Sequence, residues 1–400
     1  RRLPRALATL AEFLHDEAVG GVALLIASAA ALIWANAAPD GYTTFWHQTL
    51  TLGSGGWAIT EDLQHWVNDG LMTVFFFVVG LEIKRELVIG ELRGRRVAVL
   101  PAAAAAGGVA VPIIIFLVLV GSGPGRQGWG IPMATDIAFA AGVLALLGRV
   151  CSGGAKLFLL SIAIVDDILA VLVIAIFYSK GIDWPWLAIA AAGLVVILAM
   201  RRLPVSSPWA YVPVGVLVWA ATLESGVHAT LAGLVIGLIT PARPVRGRHV
   251  LQELEHRLHP ISTLAVVPVF ALANAGVYFG GGLITDALGS RLTWAVAAGL
   301  VVGKLLGIGG VTHIALRGGW ARLPADMHAR EVWGIAALCG IGFTVSLFVT
   351  DLALSDPILT GRAKVGLFAG SAISVLLGAG LLLVARVRAH VGRVAAPKAG

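Results

Sequence analysis

Apolar runs close to 20 residues long recur along almost the whole of this 400-residue chain, and a run of about that length is what a helix needs to cross a hydrocarbon layer about 30 Å thick. Twelve of them fall at roughly 17–36, 65–86, 97–120, 130–148, 155–178, 184–203, 209–223, 226–240, 257–279, 292–316, 331–353 and 364–386. The predicted class is therefore an all-α polytopic membrane protein with twelve transmembrane helices, the lipid bilayer being its solvent. A chain that is 58% hydrophobic and only 13% charged lies outside the range of soluble domains. Its 50 glycines and 17 prolines are scattered through the apolar runs, where transmembrane helices tolerate them, so disorder is not expected. Residues 1–400 are expected to form a single integral membrane domain.

The basic residues give the topology. Retained cytoplasmic loops carry the excess of Lys and Arg, and here the connections alternate. One set holds 23 of the 29 basic residues, from Arg1, Arg2 and Arg5 through the Lys84–Arg96 segment to Arg386, Arg388, Arg393 and Lys398. The opposite set holds five, Arg126, Lys180, Arg291, Arg362 and Lys364, and Lys304 lies inside a run. Both termini are thus expected in the cytoplasm of a bacterial inner membrane. The net charge of +7 follows this asymmetry and does not mark a nucleic-acid partner. The N-terminal arginines, apolar run and Ala35-Asn36-Ala37 imitate a secretory signal. Asp16 and Glu17 interrupt its basic region and many further runs follow, so a first transmembrane helix is expected instead. Cys151 and Cys339 form no disulfide framework or metal-ligand spacing.

The connection at 37–64 is the longest on the external side. His47 to Leu52, the glycine-rich Gly53-Ser54-Gly55-Gly56 and Trp57-Ala58-Ile59 partly alternate, which predicts a small β-hairpin. An unstructured connection is the alternative.

Four ionisable residues sit inside apolar runs: Asp136 in the fourth, Asp166 and Asp167 in the fifth, Lys304 in the tenth. On insertion scales each costs about 2.5–3.5 kcal/mol at a helix centre, so they must pair or meet water. Adjacent helical positions point about 100° apart. One of the two aspartates can therefore meet Lys304 while the other faces an aqueous funnel. Carboxylate oxygens suit a hard cation such as Na+ or Li+ and also accept a proton, so one site holds either ion but not both. Burial and a like-charged neighbour favour a protonated carboxylate, whereas a nearby ammonium favours the ionised form. The alternative is an internal salt bridge that only fixes helix packing, although one acid would suffice to balance one lysine.

Around Asp136, Pro132-Met133-Ala134-Thr135-Asp136 is unsuited to a continuous helix, and Gly340-Ile341-Gly342 does the same in the eleventh run. Broken helices at matching places in two halves point to a transporter's ion site. Asp136 would offset exposed N-terminal helix ends and Lys304 the C-terminal ones; simple kinks remain the alternative.

Ala134-Thr135-Asp136-Ile137-Ala138-Phe139-Ala140, Ile164-Val165-Asp166-Asp167-Ile168 and Gly303-Lys304 resemble the NhaA-type bacterial sodium/proton antiporters. So do Trp66-Val67-Asn68-Asp69-Gly70, Gly80-Leu81-Glu82-Ile83-Lys84-Arg85-Glu86, Ser225-Gly226-Val227-His228, Leu254-Glu255-His256 with His259-Pro260, and Gly340-Ile341-Gly342-Phe343. The resemblance spans nearly the whole chain. It implies inverted repeats formed by helices 3–5 (about 97–178) and 10–12 (about 292–386), with two broken helices crossing mid-membrane. It implies Na+ or H+ at Asp166 and Asp167, Thr135 and Asp136 at the crossing, and Lys304 pairing with Asp166 in one state only. It further implies electrogenic exchange activated at alkaline pH through Glu82, Glu86, Glu255 and His256, no cofactor, and a homodimer through a hairpin at about 47–59. Leu305 departs from the proline expected after the lysine in many relatives, which puts helix bending there in question.

His256 and His259 beside Glu255 suggest a helix-end polar cluster rather than a metal site, and either a pH sensor or a solvated face. His228 is expected to cap or pack, and Asp69 to lie in a wet outer vestibule. Two rival functions compete with exchange. An intramembrane aspartyl protease would need Tyr-Asp and Gly-x-Gly-Asp contexts, which none of the three aspartates has. A sodium-coupled symporter of an organic anion would need a roomy polar pocket.

Overall fold

A computed structural model describes residues 5–53, 58–90, 95–179, 181–202, 208–245 and 247–394. Seven helices in it are long and apolar enough to cross a membrane: Val19–Ala37, Ala98–Val120, Arg126–Leu147, Gly153–Phe177, Trp184–Arg202, Arg291–Arg317 and Pro357–Val387. Glu331–Leu338 and Phe343–Ala353, bent by 41° at their break, make an eighth if taken as one span. The other four expected runs fall on shorter or interrupted helices. Two are Val212–Glu224 and Thr230–Ile239. The run at 65–86 begins as a π-helical stretch, Trp66–Leu71, ahead of Met72–Val88. That at 257–279 is divided among Val250–Ile261, the π-helical Ser262–Val266 and Val267–Asn274.

The chain separates into two compact units. The first gathers Arg1–Val22, Gly94–Ala170 and Phe279–Gly400, and so holds both segments expected to be repeats, apart from the end of the fifth span. Its apolar core joins Phe158, Leu159 and Ile162 to Val332, Ile335 and Leu338. Pro112 lies inside Arg95–Val120, and its ring packs over Gly303, while the ring of Pro132 packs over Gly299. Those glycines bound a π-helical stretch, Gly299–Gly303, and a second one runs over Leu305–Gly310. Lys304 stands between two widened turns, a feature frequent at functional sites. The helix is thus irregular on both sides of Lys304 although Leu305, not proline, follows it.

The second unit comprises Ala23–Arg93 and Val171–Tyr278. Met72–Val88 packs closely on Thr230–Ile239 through Gly80, Gly233 and Gly237, since small residues let helix backbones approach. Asn68 and Asn274 exchange amide hydrogen bonds of 2.7 and 3.2 Å. His228 Nε2 lies 2.8 Å from the Tyr178 carbonyl, a packing contact. Asp69 falls in the Trp66–Leu71 stretch, where its backbone carbonyl accepts the Trp219 indole N–H at 2.9 Å.

The external connection does form a hairpin, with Thr49–Leu52 antiparallel to Ile59–Asp62. The second strand begins at Ile59, with Leu52 set opposite Ile59 and Thr51 opposite Thr60, whose hydroxyls lie 2.9 Å apart. Ser54 to Trp57 lie outside the described residues. A helix the sequence did not suggest, Pro39–Trp46, precedes the hairpin with proline in its first turn.

Candidate ion-binding site

Two helix breaks meet inside the first unit. After the 3-10 turn Arg126–Met133, which ends just past Pro132, the backbone is extended at Ala134 and Asp136, and the α-helix Ile137–Leu147 begins. In the other span, Glu331–Leu338 stops, Gly340-Ile341-Gly342 intervenes, and Phe343–Ala353 starts. The breaks are bonded to each other: Asp136 N–H donates to the Ile341 carbonyl at 2.6 Å, and the Thr135 hydroxyl to the Cys339 carbonyl at 2.8 Å. A Cβ at Gly340 would lie 2.5 Å from the Leu300 carbonyl oxygen, and one at Gly342 would lie 2.8 Å from Leu300 Cδ2. Only glycine permits that approach.

Asp136, 3% exposed, serves both helices that start there. Its Oδ1 accepts the Phe139 N–H at 3.0 Å, while Oδ2 accepts the Thr344 N–H at 3.0 Å and the Thr344 hydroxyl at 2.9 Å. Both helices present their positive ends to one carboxylate. Thr344 was not singled out in the sequence, where nothing distinguishes it from any threonine following a glycine break.

On Gly153–Phe177, Asp166 and Asp167 are both buried. Asp166 is the one that meets the lysine: Lys304 Nζ lies 2.6 Å from its Oδ2, and both side chains are fully buried. The other oxygen, Asp166 Oδ1, has no hydrogen-bond partner among the described residues. Cys339, which follows the C-terminal end of Glu331–Leu338, is within electrostatic range of both members of the pair. That half-helix thus brings its negative end toward the ammonium. Among the described residues no three His, Cys, Asp or Glu side chains gather as a metal centre.

The residues implied in pH response lie in the second unit. Arg85 Nε is 3.1 Å from Glu255 and its Nη2 3.2 Å from Glu86, and His259 Nε2 is 3.7 Å from Glu82. Helical spacing explains the choice of histidine: Glu255 and His259, four apart, share a face, whereas His256 is rotated by about 100°. His256 is exposed and has no ion pair among the described residues. Burial pushes the Glu255 carboxyl up from the ordinary glutamate range, with Glu86 adding and Arg85 and His259 opposing. A group raised on folding stabilises below its unfolded value and loses that contribution as pH rises through the folded one. Stability should therefore fall as pH climbs just above the ordinary carboxylate range, and Glu255→Gln should flatten that slope. Thermal unfolding from pH 4 to 8 reads it; identical slopes would refute the assignment.

A model of the family described as Na+/H+ antiporter 1 matches residues 11–382. The chain belongs to the NhaA family of Na+/H+ antiporters. A family relative, the antiporter NhaA of an Acidovorax species, is 48% identical over 94% of this chain and 91% of its own. NhaA 2 of Pseudomonas putida is 43% identical over 94% and 92%, and NhaA 3 of Frankia alni 44% over 96% and 90%. NhaA proteins are transporters rather than enzymes, and the apolar spans agree with an inner-membrane protein.

Proposed function

We propose that this chain exchanges cytoplasmic Na+ or Li+ for external protons, the two competing for Asp166 and Asp167. The observation that carries the reading is the fully buried 2.6 Å contact between Lys304 and Asp166, with a second oxygen on the same carboxylate that has no hydrogen-bond partner among the described residues. A pair of this kind holds the site shut to cations until the lysine leaves, and a carboxylate so released takes either H+ or a small hard cation. Asp136 offsets the helix N-termini at the crossing, with Thr135 beside it. Exchange is electrogenic, with more protons entering than cations leaving, and alkaline pH activates it through Glu82, Glu86, Glu255 and His256.

The twelve-span topology with cytoplasmic termini, the inverted repeats and a single transporter domain belong to the same proposal. Their support is the alternation of basic loops and the presence of one break in each of the two segments expected to be repeats. Bulky apolar side chains such as Ile33 and Leu376, 68% and 74% exposed, suit a lipid surround. The homodimer uses the hairpin at about 47–59, whose Thr49–Leu52 strand is exposed along its length.

The test is dissipation of a pH gradient in inside-out vesicles. Na+ and Li+ should collapse it, and Asp167→Asn should abolish the response while the protein still reaches the membrane. Normal exchange by Asp167→Asn would overturn the site.

A further inference from the structure

A second buried carboxylate in the first unit, outside the crossing, also joins two helix starts. Glu331, 7% exposed, opens the helix Glu331–Leu338. Its Oε1 accepts the Ser152 N–H at 2.9 Å, and its Oε2 accepts the Ser152 hydroxyl at 2.9 Å and the His328 N–H at 2.7 Å. His328 Nδ1 is 3.6 Å from that same oxygen. Ser152 Oγ in turn accepts the Ala155 N–H at 3.1 Å, capping Gly153–Phe177. One negative group thus sits between two positive helix ends. The loop ahead of Glu331 is seated on the same helix start, since a Cβ at Gly154 would collide with the Ala325 carbonyl.

The helices joined there meet again at the ion pair. Asp166 lies about 20 Å along its helix from Ser152, at 1.5 Å per residue, and Cys339 ends the other helix within electrostatic range of Asp166 and Lys304. Between the two ends, Phe158, Leu159 and Ile162 pack in one core with Val332, Ile335 and Leu338, and close-packed interiors transmit displacement.

We infer that Glu331 is a positioning residue: by fixing the axial register of Gly153–Phe177 against Glu331–Leu338, it stabilises the arrangement in which Lys304 is paired with Asp166. The inference rests on Asp166 and Asp167 being the exchange site. A contact made in the paired arrangement biases the equilibrium toward it, so the clamp opposes cation entry. Cys151 is within electrostatic range of Glu331, Lys156 and Arg386.

Loosening the clamp should therefore ease activation, the opposite of what general structural damage does. In vesicles, Glu331→Gln should lower the apparent KM for Na+ about fivefold, the equivalent of one ordinary hydrogen bond. Half-activation should move to lower pH, with the saturated rate kept within about twofold. Ser152→Ala should act in the same direction, and the double variant should fall short of the sum of the two single effects, because the two share a contact. Unchanged KM and pH profiles, or a raised KM with a falling rate, would overturn the clamp. If Glu331→Gln does not assemble, Ser152→Ala carries the test, since it removes one hydroxyl and keeps the N–H contact. Asp167→Asn run alongside separates the failures: if it still exchanges, the site reading falls and the clamp with it; if it is inactive and the clamp variants match wild type, only the clamp falls.

Discussion

Alanine at Lys304 is expected to destabilise the protein by about 3–5 kcal/mol, the cost of leaving one member of a buried ion pair uncompensated. Asp166→Asn in the same chain should restore most of the loss. Neither side chain of the pair is reached by solvent, so no water screens the charge that remains. Asp166 Oδ1 already lacks a hydrogen-bond partner among the described residues, and losing Lys304 would leave Oδ2 in the same condition. The net value of an intact buried pair is small, because desolvation offsets attraction; the asymmetry lies in breaking it. Thermal unfolding in detergent should therefore place the double variant between wild type and Lys304→Ala. Coincident melting of the single and double variants would show that the two residues are not energetically coupled.

The charged members of this site stood out in the sequence because a charge in an apolar run is costly, and the chain carries few. Asp136, Asp166, Asp167 and Lys304 needed no structure to be noticed. Which aspartate meets the lysine was not decided by spacing, since a 100° offset between neighbours says only that they differ. The resemblance pointed to Asp166, and the 2.6 Å contact lies there. The breaks were legible for a similar reason, as Pro132 and the Gly340–Gly342 pair disturb helical continuity wherever they stand. Thr344 was not, for its value comes from standing second in a helix whose first turn points at Asp136.

Hydropathy overestimated helix lengths, because it counts apolar side chains and is blind to backbone hydrogen-bond continuity. The runs at 209–223, 226–240 and 257–279 are predominantly apolar, yet their helices are Val212–Glu224, Thr230–Ile239 and an interrupted series. The clamp at Glu331 escaped notice for another reason. A glutamate at the edge of an apolar run resembles any solvated helix start, and its partner Ser152 is 179 positions away.

Asp136→Ala should cost about 4 kcal/mol or more, summing two lost N-caps at about 1 kcal/mol each and buried donors left without acceptors at about 1–3 kcal/mol each. The carboxylate accepts from Phe139 N–H, Thr344 N–H and the Thr344 hydroxyl, so one truncation exposes the starts of two helices together. Asp136→Asn discriminates this double cap from an ordinary one. An amide offers a single acceptor oxygen, which can serve Phe139 or Thr344 but not both, and the expected loss is about half that of alanine. Thr344→Val, which deletes only the hydroxyl bond, should cost about 1 kcal/mol. If asparagine is as stable as aspartate, one helix start does not depend on this side chain. If asparagine is as damaging as alanine, the negative charge matters more than the count of acceptors, and the dipoles of the two helix ends, rather than their hydrogen bonds, hold the crossing together.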